Sequence, residues 1–235
     1  MLNTCSCNRK LCSGALVRTD INSDIGEGVD SQESLMPYLT SVNIACGGHA
    51  GDEATMKLSV KQASRHGLKI GAHPGYPDKA NFGRLELNMP LSQVETFVYQ
   101  QICALAAFTN IVHVKPHGAL YNQAVKNAAL ARAIARGTAR FSHQVTLVGL
   151  AGSLMLSVFQ EEGFAVVAEA FADRRYEVDG SLRSRKFDDA LITDPQEAAA
   201  QALKLAESGL AQTICIHSDT PGAPLIAAAV AKALR

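Results

Sequence analysis

Seven short runs of β-branched and apolar residues recur along the chain, each leading into a polar, turn-rich stretch. They are VRTDINSD (17–24), SVNIACG (41–47), LKIGAHP (68–74), IVHVKPH (111–117), QVTLVGL (144–150), FAVVAEA (164–170) and QTICIHSD (212–219). Between most of them the apolar spacing becomes helical: EATMKLSVKQASRHG (53–67), LSQVETFVYQQICALAAFTN (91–110), NQAVKNAALARAIARG (122–137), SLMLSVFQEEG (153–163) and DPQEAAAQALKLAESG (194–209). Several of these end at glycine, the usual residue just past a helix C-terminus. Asp194-Pro195 reads as an N-cap followed by proline at the first helical position. Strand and helix in alternation predict parallel strands with helices packed outside. A doubly wound open sheet competes, but it wants a glycine-rich phosphate loop after the first strand, where DIGEG carries two acids. The pattern predicts an α/β fold, a seven-stranded (β/α) barrel, as one domain over residues 20–235 without linker or internal repeat.

The polar residues then fall where a barrel builds its chemistry, at the C-terminal ends of strands and in the loops beyond. Strand one delivers Asn22 and Asp24, with Glu27 beyond. Strand two delivers Asn43, then His49 and Asp52; strand three ends in His73, with Arg84 further on. Strand four ends in Lys115 and His117, strand six in Glu169 with Asp173 and Arg174, strand seven in His217 and Asp219. Alternation along HVKPH puts His113, Lys115 and His117 on one face, opposite Val112 and Val114. Bland readings stand beside each residue. Asp52 can simply cap the next helix, Tyr121 and Asn122 can belong to a first helical turn, and a lone strand-end histidine is more often structural than catalytic. His66 before Gly67 reads as a helix end, His143 as a surface residue, and His113 as lying toward the stability face of the barrel. Six strands ending in polar groups nonetheless read as a site, with its pocket expected at that end.

Composition narrows the class of partner. The 235 residues are 47% apolar with a formal net charge of zero, so neither nucleic acid nor an anionic membrane is expected to bind. No stretch reaches the roughly 20 apolar residues of a membrane span. Of the six cysteines, Cys46, Cys103 and Cys215 lie in apolar runs and read as small hydrophobes. Cys5, Cys7 and Cys12 crowd the N-terminus, where a metal site would need a fourth ligand. Residues 1–19 read as a leader without ordered structure and without the apolar core of a signal peptide, which makes the cytoplasm the default location.

Carboxylates, histidines and a lysine without a serine elbow suggest hydrolysis by activated water. Asp24, His73, Lys115, His117 and Glu169 are the candidate catalytic residues: a carboxylate as base, an imidazole as proton donor, the lysine against a developing oxyanion. Asn22, Asn43, His49, Arg84, Tyr121, Arg174 and His217 are the candidate substrate-binding set. Mixed His and Asp at strand ends could also hold a divalent metal, but no HxH or HxxxH pair sits at one strand end, and no residue is assigned as a ligand. If Lys115 faces only substrate, replacing it should spare the fold. If it pairs with Asp24 or Glu169, replacing it should destabilise the barrel.

The motifs DINSDIGEG (20–28), NIACGGHAGD (43–52), IGAHPGYPDKANFGR (70–84), HVKPHGALYN (113–122), VGLAGS (148–153), EAFADRRYEVDGSLRSR (169–185) and CIHSD (215–219) together resemble the LamB/YcsF family, the A subunits of bacterial 5-oxoprolinase. The resemblance runs in order from Asp20 to the C-terminus. It implies a barrel akin to those of glycoside hydrolases and deacetylases, and ATP-dependent hydrolysis of 5-oxo-L-proline (pyroglutamate) to L-glutamate with partner subunits B and C. ATP would be bound with those partners, since this chain has no Walker-type loop. The chain departs from the family at Ser218 and Thr220, where HGDN or HGDG is usual. Two other readings compete: a stand-alone metal-dependent deacetylase-like hydrolase, and a non-catalytic subunit that only binds substrate.

Overall fold

Alternation along the strands sorts two environments. In the computed structural model, which describes residues 19–29 and 32–235, strand β1 (Asp20–Ile25) buries Ile21 and Ile25 in the apolar core, while Asp20, Asn22 and Asp24 meet polar groups from strands across the barrel. The same two-residue period runs through β2 (Ser41–Ala45), β3 (Lys69–His73), β4 (His113–Val114), β5 (Thr146–Leu150), β6 (Val166–Phe171) and β7 (Thr213–Cys215). All pair in parallel in chain order, and β7 returns to β1 through Asp20↔Thr213 and Asn22↔Cys215, closing the barrel. This is the expected architecture, with strand bounds shifted by up to four residues.

The interior departs from the usual filling of branched aliphatic layers. Asn22, Asn43, His113, Lys115, Glu169 and Thr213 are all buried and hydrogen-bonded to one another across it. The apolar core therefore lies between strands and helices, where Val42, Ile44, Val114, Leu147 and Ile214 are fully buried. Space inside is managed residue by residue. A Cβ on Gly71 in β3 would sit 2.1 Å from His113 Nε2, so glycine at that position is what admits the histidine ring.

Helices α1 (Gln32–Leu35), α2 (Glu53–Arg65), α3 (Leu91–Ala106), α4 (Gly118–Ala124), α5 (Ala128–Ala139), α6 (Leu154–Glu161), α7 (Pro195–Glu207) and α8 (Ala223–Leu234) form the outer ring. Asp52 caps α2 in a capping box with Thr55, and Asp194 caps α7 ahead of Pro195. The helix expected over 122–137 is two helices, because Asn127 accepts from the Leu130 amide and starts a new N-terminus there. Tyr121 and Asn122 lie in α4. Helix α8, which the chain pattern did not single out, packs on α7. No helix among the described residues is long and apolar enough to cross a membrane. The expectations for the leader, residues 1–18 of it, and for Cys5, Cys7 and Cys12 fall outside the described residues.

Candidate active site

Lys115 follows β4 and enters the barrel centre with only 2% of its surface exposed. Its Nζ donates to Glu169 of β6 at 2.7 Å and to Asp24 of β1 at 3.0 Å, and lies 3.1 Å from Cys215 Sγ in β7. Burial alone would strip the ammonium of its proton; Asp24, with Cys215 and Glu169, outweighs it and holds the lysine pKa well above the ordinary value. The carboxylates are themselves fixed. Glu169 Oε1 accepts from Asn22 at 3.1 Å and Oε2 from the Tyr121 hydroxyl at 3.1 Å, while Asp24 Oδ1 accepts from Asn43 at 2.8 Å. Asp24 is raised by burial but lowered more by His73 and Lys115, so it stays a carboxylate.

Beside this triad three imidazoles meet. His73, the last residue of β3, points Nε2 at Asp24 Oδ2 (3.3 Å) and at His117 Nδ1 (3.0 Å). Its Nδ1 lies 2.8 Å from the Lys115 carbonyl, and His117 Nε2 lies 3.0 Å from the Phe82 carbonyl. His49, in the loop after β2, stacks on His117 with ring centroids 3.6 Å apart, and its Nε2 meets Glu27 at 2.9 Å. Glycine makes room for it. A Cβ on Gly75 would lie 2.6 Å from His49 Nδ1, and one on Gly83, already at φ +62°, 2.6 Å from His49 Cβ. Burial pushes His49 down to about 4, against the pull of Glu27. His73 shifts the other way: burial lowers it, but Asp24 raises it more.

A second layer closes the rim. Asp173, after β6, accepts from the His217 ring (3.0 Å), the His217 amide (2.9 Å) and the Thr220 hydroxyl. Ser218 donates to the Asp24 carbonyl at 2.7 Å. The two departures from the family pattern thus hold Asp173 and β1 in place. Arg84, from the loop after β3, and Arg185, from the loop after β6, both reach Asp219. Arg174 is buried beside them with its Nε unpartnered, and burial lowers its pKa to about 10.

Of the twelve candidate residues, Asn22, Asp24, Asn43, His49, His73, Lys115, His117, Tyr121 and Glu169 are joined in one buried network. His217, Arg84 and Arg174 lie on its rim. Glu27 and Cys215 were not chosen from the sequence. Glu27 sits between Gly26 and Gly28, both at positive φ, which is the local signal for a turn aimed back over the barrel; Cys215 had none, since its neighbours are apolar. The open space is at the end opposite to the one expected. A cavity of about 400 Å³ lies at the N-terminal mouth, among Asp20, Ser41, Lys69, His113, Thr146 and Gln212. Among the described residues, two groups of side chains converge closely enough to hold a metal ion: Glu27, His49, His73 and His117, and Asp24, Cys215 and His217.

Known proteins resemble this chain. Residues 19–235 match the LamB/YcsF family model. A Chloroflexus aggregans protein, named as the A subunit of 5-oxoprolinase, is 44% identical, covering 92% of this chain and 94% of the relative. A Neisseria meningitidis protein of the same name is 41% identical over 89% and 93%. The crystal structure of a lactam utilization protein from Thermus thermophilus superposes with a TM-score of 0.85 at 38% identity, covering 92% of this chain and 96% of that one. A family 4 carbohydrate esterase from Streptomyces lividans, 14% identical with a TM-score of 0.51 over 92% and 86%, shares the fold alone. The chain belongs to the LamB/YcsF family.

Proposed function

We propose that this chain is the ring-opening subunit of an ATP-dependent 5-oxoprolinase, hydrolysing 5-oxo-L-proline to L-glutamate in the cytoplasm with partner subunits B and C. A lactam is a poor electrophile, so its hydrolysis needs activation by ATP. The chain has no Walker-type loop, and ATP is used on the partners. The observation that carries the reading is Lys115: an ammonium whose pKa its neighbours raise, buried at the C-terminal end of the barrel, between two carboxylates and beside three imidazoles.

Each group then has a task. Lys115 meets the negative charge that develops on the carbonyl oxygen as water adds, at the cost of loosening one of its carboxylate contacts. Glu169, held by Asn22 and Tyr121, takes the proton of the attacking water and passes it to the leaving nitrogen, while Asp24 holds the His73 ring in place. Arg84, Arg174 and Arg185 receive the anionic substrate. An arriving carboxylate replaces Asp219 as partner of Arg84 and Arg185, which opens the rim over the site.

The test is glutamate release from 5-oxoproline by subunits B and C with ATP, with and without this chain. Release should require the chain; equal rates without it would end the reading. The four-donor group favours a second reading, a metal-dependent hydrolase that works without partners, and turnover by the isolated chain without ATP would select it.

A further inference from the structure

Glu27, His49, His73 and His117 come from four different strand ends, yet one donor atom of each lies within 4.8 Å of all the others. Their outer hydrogen bonds decide what faces inward. A carbonyl oxygen only accepts, so His73 Nδ1, against the Lys115 carbonyl, and His117 Nε2, against the Phe82 carbonyl, each carry a hydrogen. In the neutral rings the inner atoms, His73 Nε2 and His117 Nδ1, are then bare lone pairs 3.0 Å apart, with the Glu27 carboxylate 3.7 Å from the first and 3.3 Å from the second. Such a constellation repels itself unless a positive charge joins it. Pinning the outer N–H on a carbonyl is also how proteins orient histidines that ligate metals. His49 has no other polar contact: its Nδ1 is buried without a partner, and its Nε2 points at Glu27.

The spacing agrees with this. Tetrahedral bonds of about 2.0–2.1 Å put neighbouring donors roughly 3.3 Å apart. Four of the six separations are 2.9 Å (His49–Glu27), 3.0 Å (His73–His117), 3.3 Å (His117–Glu27) and 3.7 Å (His73–Glu27), and the two between His49 and the other imidazoles lie within 4.8 Å; His49, stacked flat on His117, turns its ring to join the set. The other group, Asp24, Cys215 and His217, fails the same test because Lys115 Nζ already lies 3.0 Å from Asp24 and 3.1 Å from Cys215, a cation in place.

We infer that Glu27, His49, His73 and His117 bind one divalent transition-metal ion, and that a set of three imidazoles and one carboxylate matches Zn²⁺ best. Bound there, the ion would be held by all four side chains, and it would supply Lewis acidity to the site on taking up a fifth ligand. The inference places this ion in the site of the proposed function, but its test does not depend on turnover.

The isolated chain, stripped with a chelator and re-equilibrated, should retain one Zn²⁺ by elemental analysis. Co²⁺ in its place should give the visible absorption of a low-coordinate nitrogen and oxygen site. Glu27→Gln keeps an oxygen for His49 and should fold, yet bind at least 10-fold more weakly, and His117→Gln about 100-fold more weakly. His66→Gln, at the exposed end of α2, should bind like the parent. A folded chain that retains neither Zn²⁺ nor Co²⁺ overturns the inference and leaves a shared proton as the positive charge of the cluster. If that metal-free chain still supports glutamate release with its partners, the metal site alone has failed. If metal binds and no glutamate forms, the site stands and the oxoprolinase reading falls.

Discussion

Replacing Lys115 by methionine removes one positive charge and three donors while keeping most of the apolar stem. Had the lysine faced only substrate, the barrel would barely notice. Instead Nζ lies 2.7 Å from Glu169 and 3.0 Å from Asp24, and all three groups are buried. Removing one partner of a buried ion pair costs about 3–5 kcal/mol, because the carboxylates left behind are charged and unsolvated. For a domain of this size, at roughly 2–4 °C per kcal/mol, the melting temperature should fall by about 6–20 °C near neutral pH. The deficit should shrink in acid. A carboxylate stranded without its lysine titrates at a raised folded pKa, so the penalty is complete above that value and disappears as protonation neutralises the group. Pairing Lys115→Met with Glu169→Gln removes one stranded charge and should return part of the loss. Thermal melting of the parent, both single variants and the double variant from pH 5 to 8 gives the coupling directly. A single Lys115→Met variant that melts with the parent, or a double variant whose losses simply add, would refute the buried ion triad.

Other consequences are independent of that triad. Burial lowers the His113 pKa to about 4, with Lys115 and Lys69 adding to the effect and Asp20 opposing it. Its folded pKa is thus below the unfolded value near 6.5, so its stabilisation is complete above about pH 6.5 and is lost at up to roughly 1.4 kcal/mol per unit as pH falls toward 4. The stability difference between parent and His113→Gln should narrow over that interval, and a flat difference would contradict it. Gly71→Ala should cost about 1–3 kcal/mol by driving a methyl into the His113 ring. The loss should be partly recovered when His113 is also alanine; additive losses in denaturant melts would disprove the steric cause. Tyr121→Phe removes a 3.1 Å donor to the buried Glu169 and should cost about 1.5–3 kcal/mol. An unchanged melting temperature would mean that the hydroxyl is not holding that carboxylate.

The fold was readable because strand and helix periods differ and the chain keeps them apart. Ile21 and Ile25 against Asp20, Asn22 and Asp24 already state which face of β1 is apolar. What the pattern missed depends on competition at single residues or on distance. Asn127 splits one apparent helix by capping a second. The histidine cluster has no local motif, since Glu27, His49, His73 and His117 stand 22 to 44 residues apart in succession and meet only when four strand ends are brought together. Searching for paired histidines on one strand therefore could not find it. Cys215 reads as a hydrophobe in sequence and lies against an ammonium in space. The cavity at the N-terminal mouth has no signal in the strand order.

The central claim is that the partners use ATP while the buried lysine network of this chain opens the ring. Its most direct test is the ratio of glutamate formed to ATP hydrolysed by the complex of this chain with subunits B and C, comparing the parent with the Lys115→Met/Glu169→Gln variant. The account predicts that ATP hydrolysis continues while glutamate formation falls by about 10²–10³ or more, uncoupling the two. A folded variant that assembles with its partners and forms glutamate at the parental ratio would contradict it.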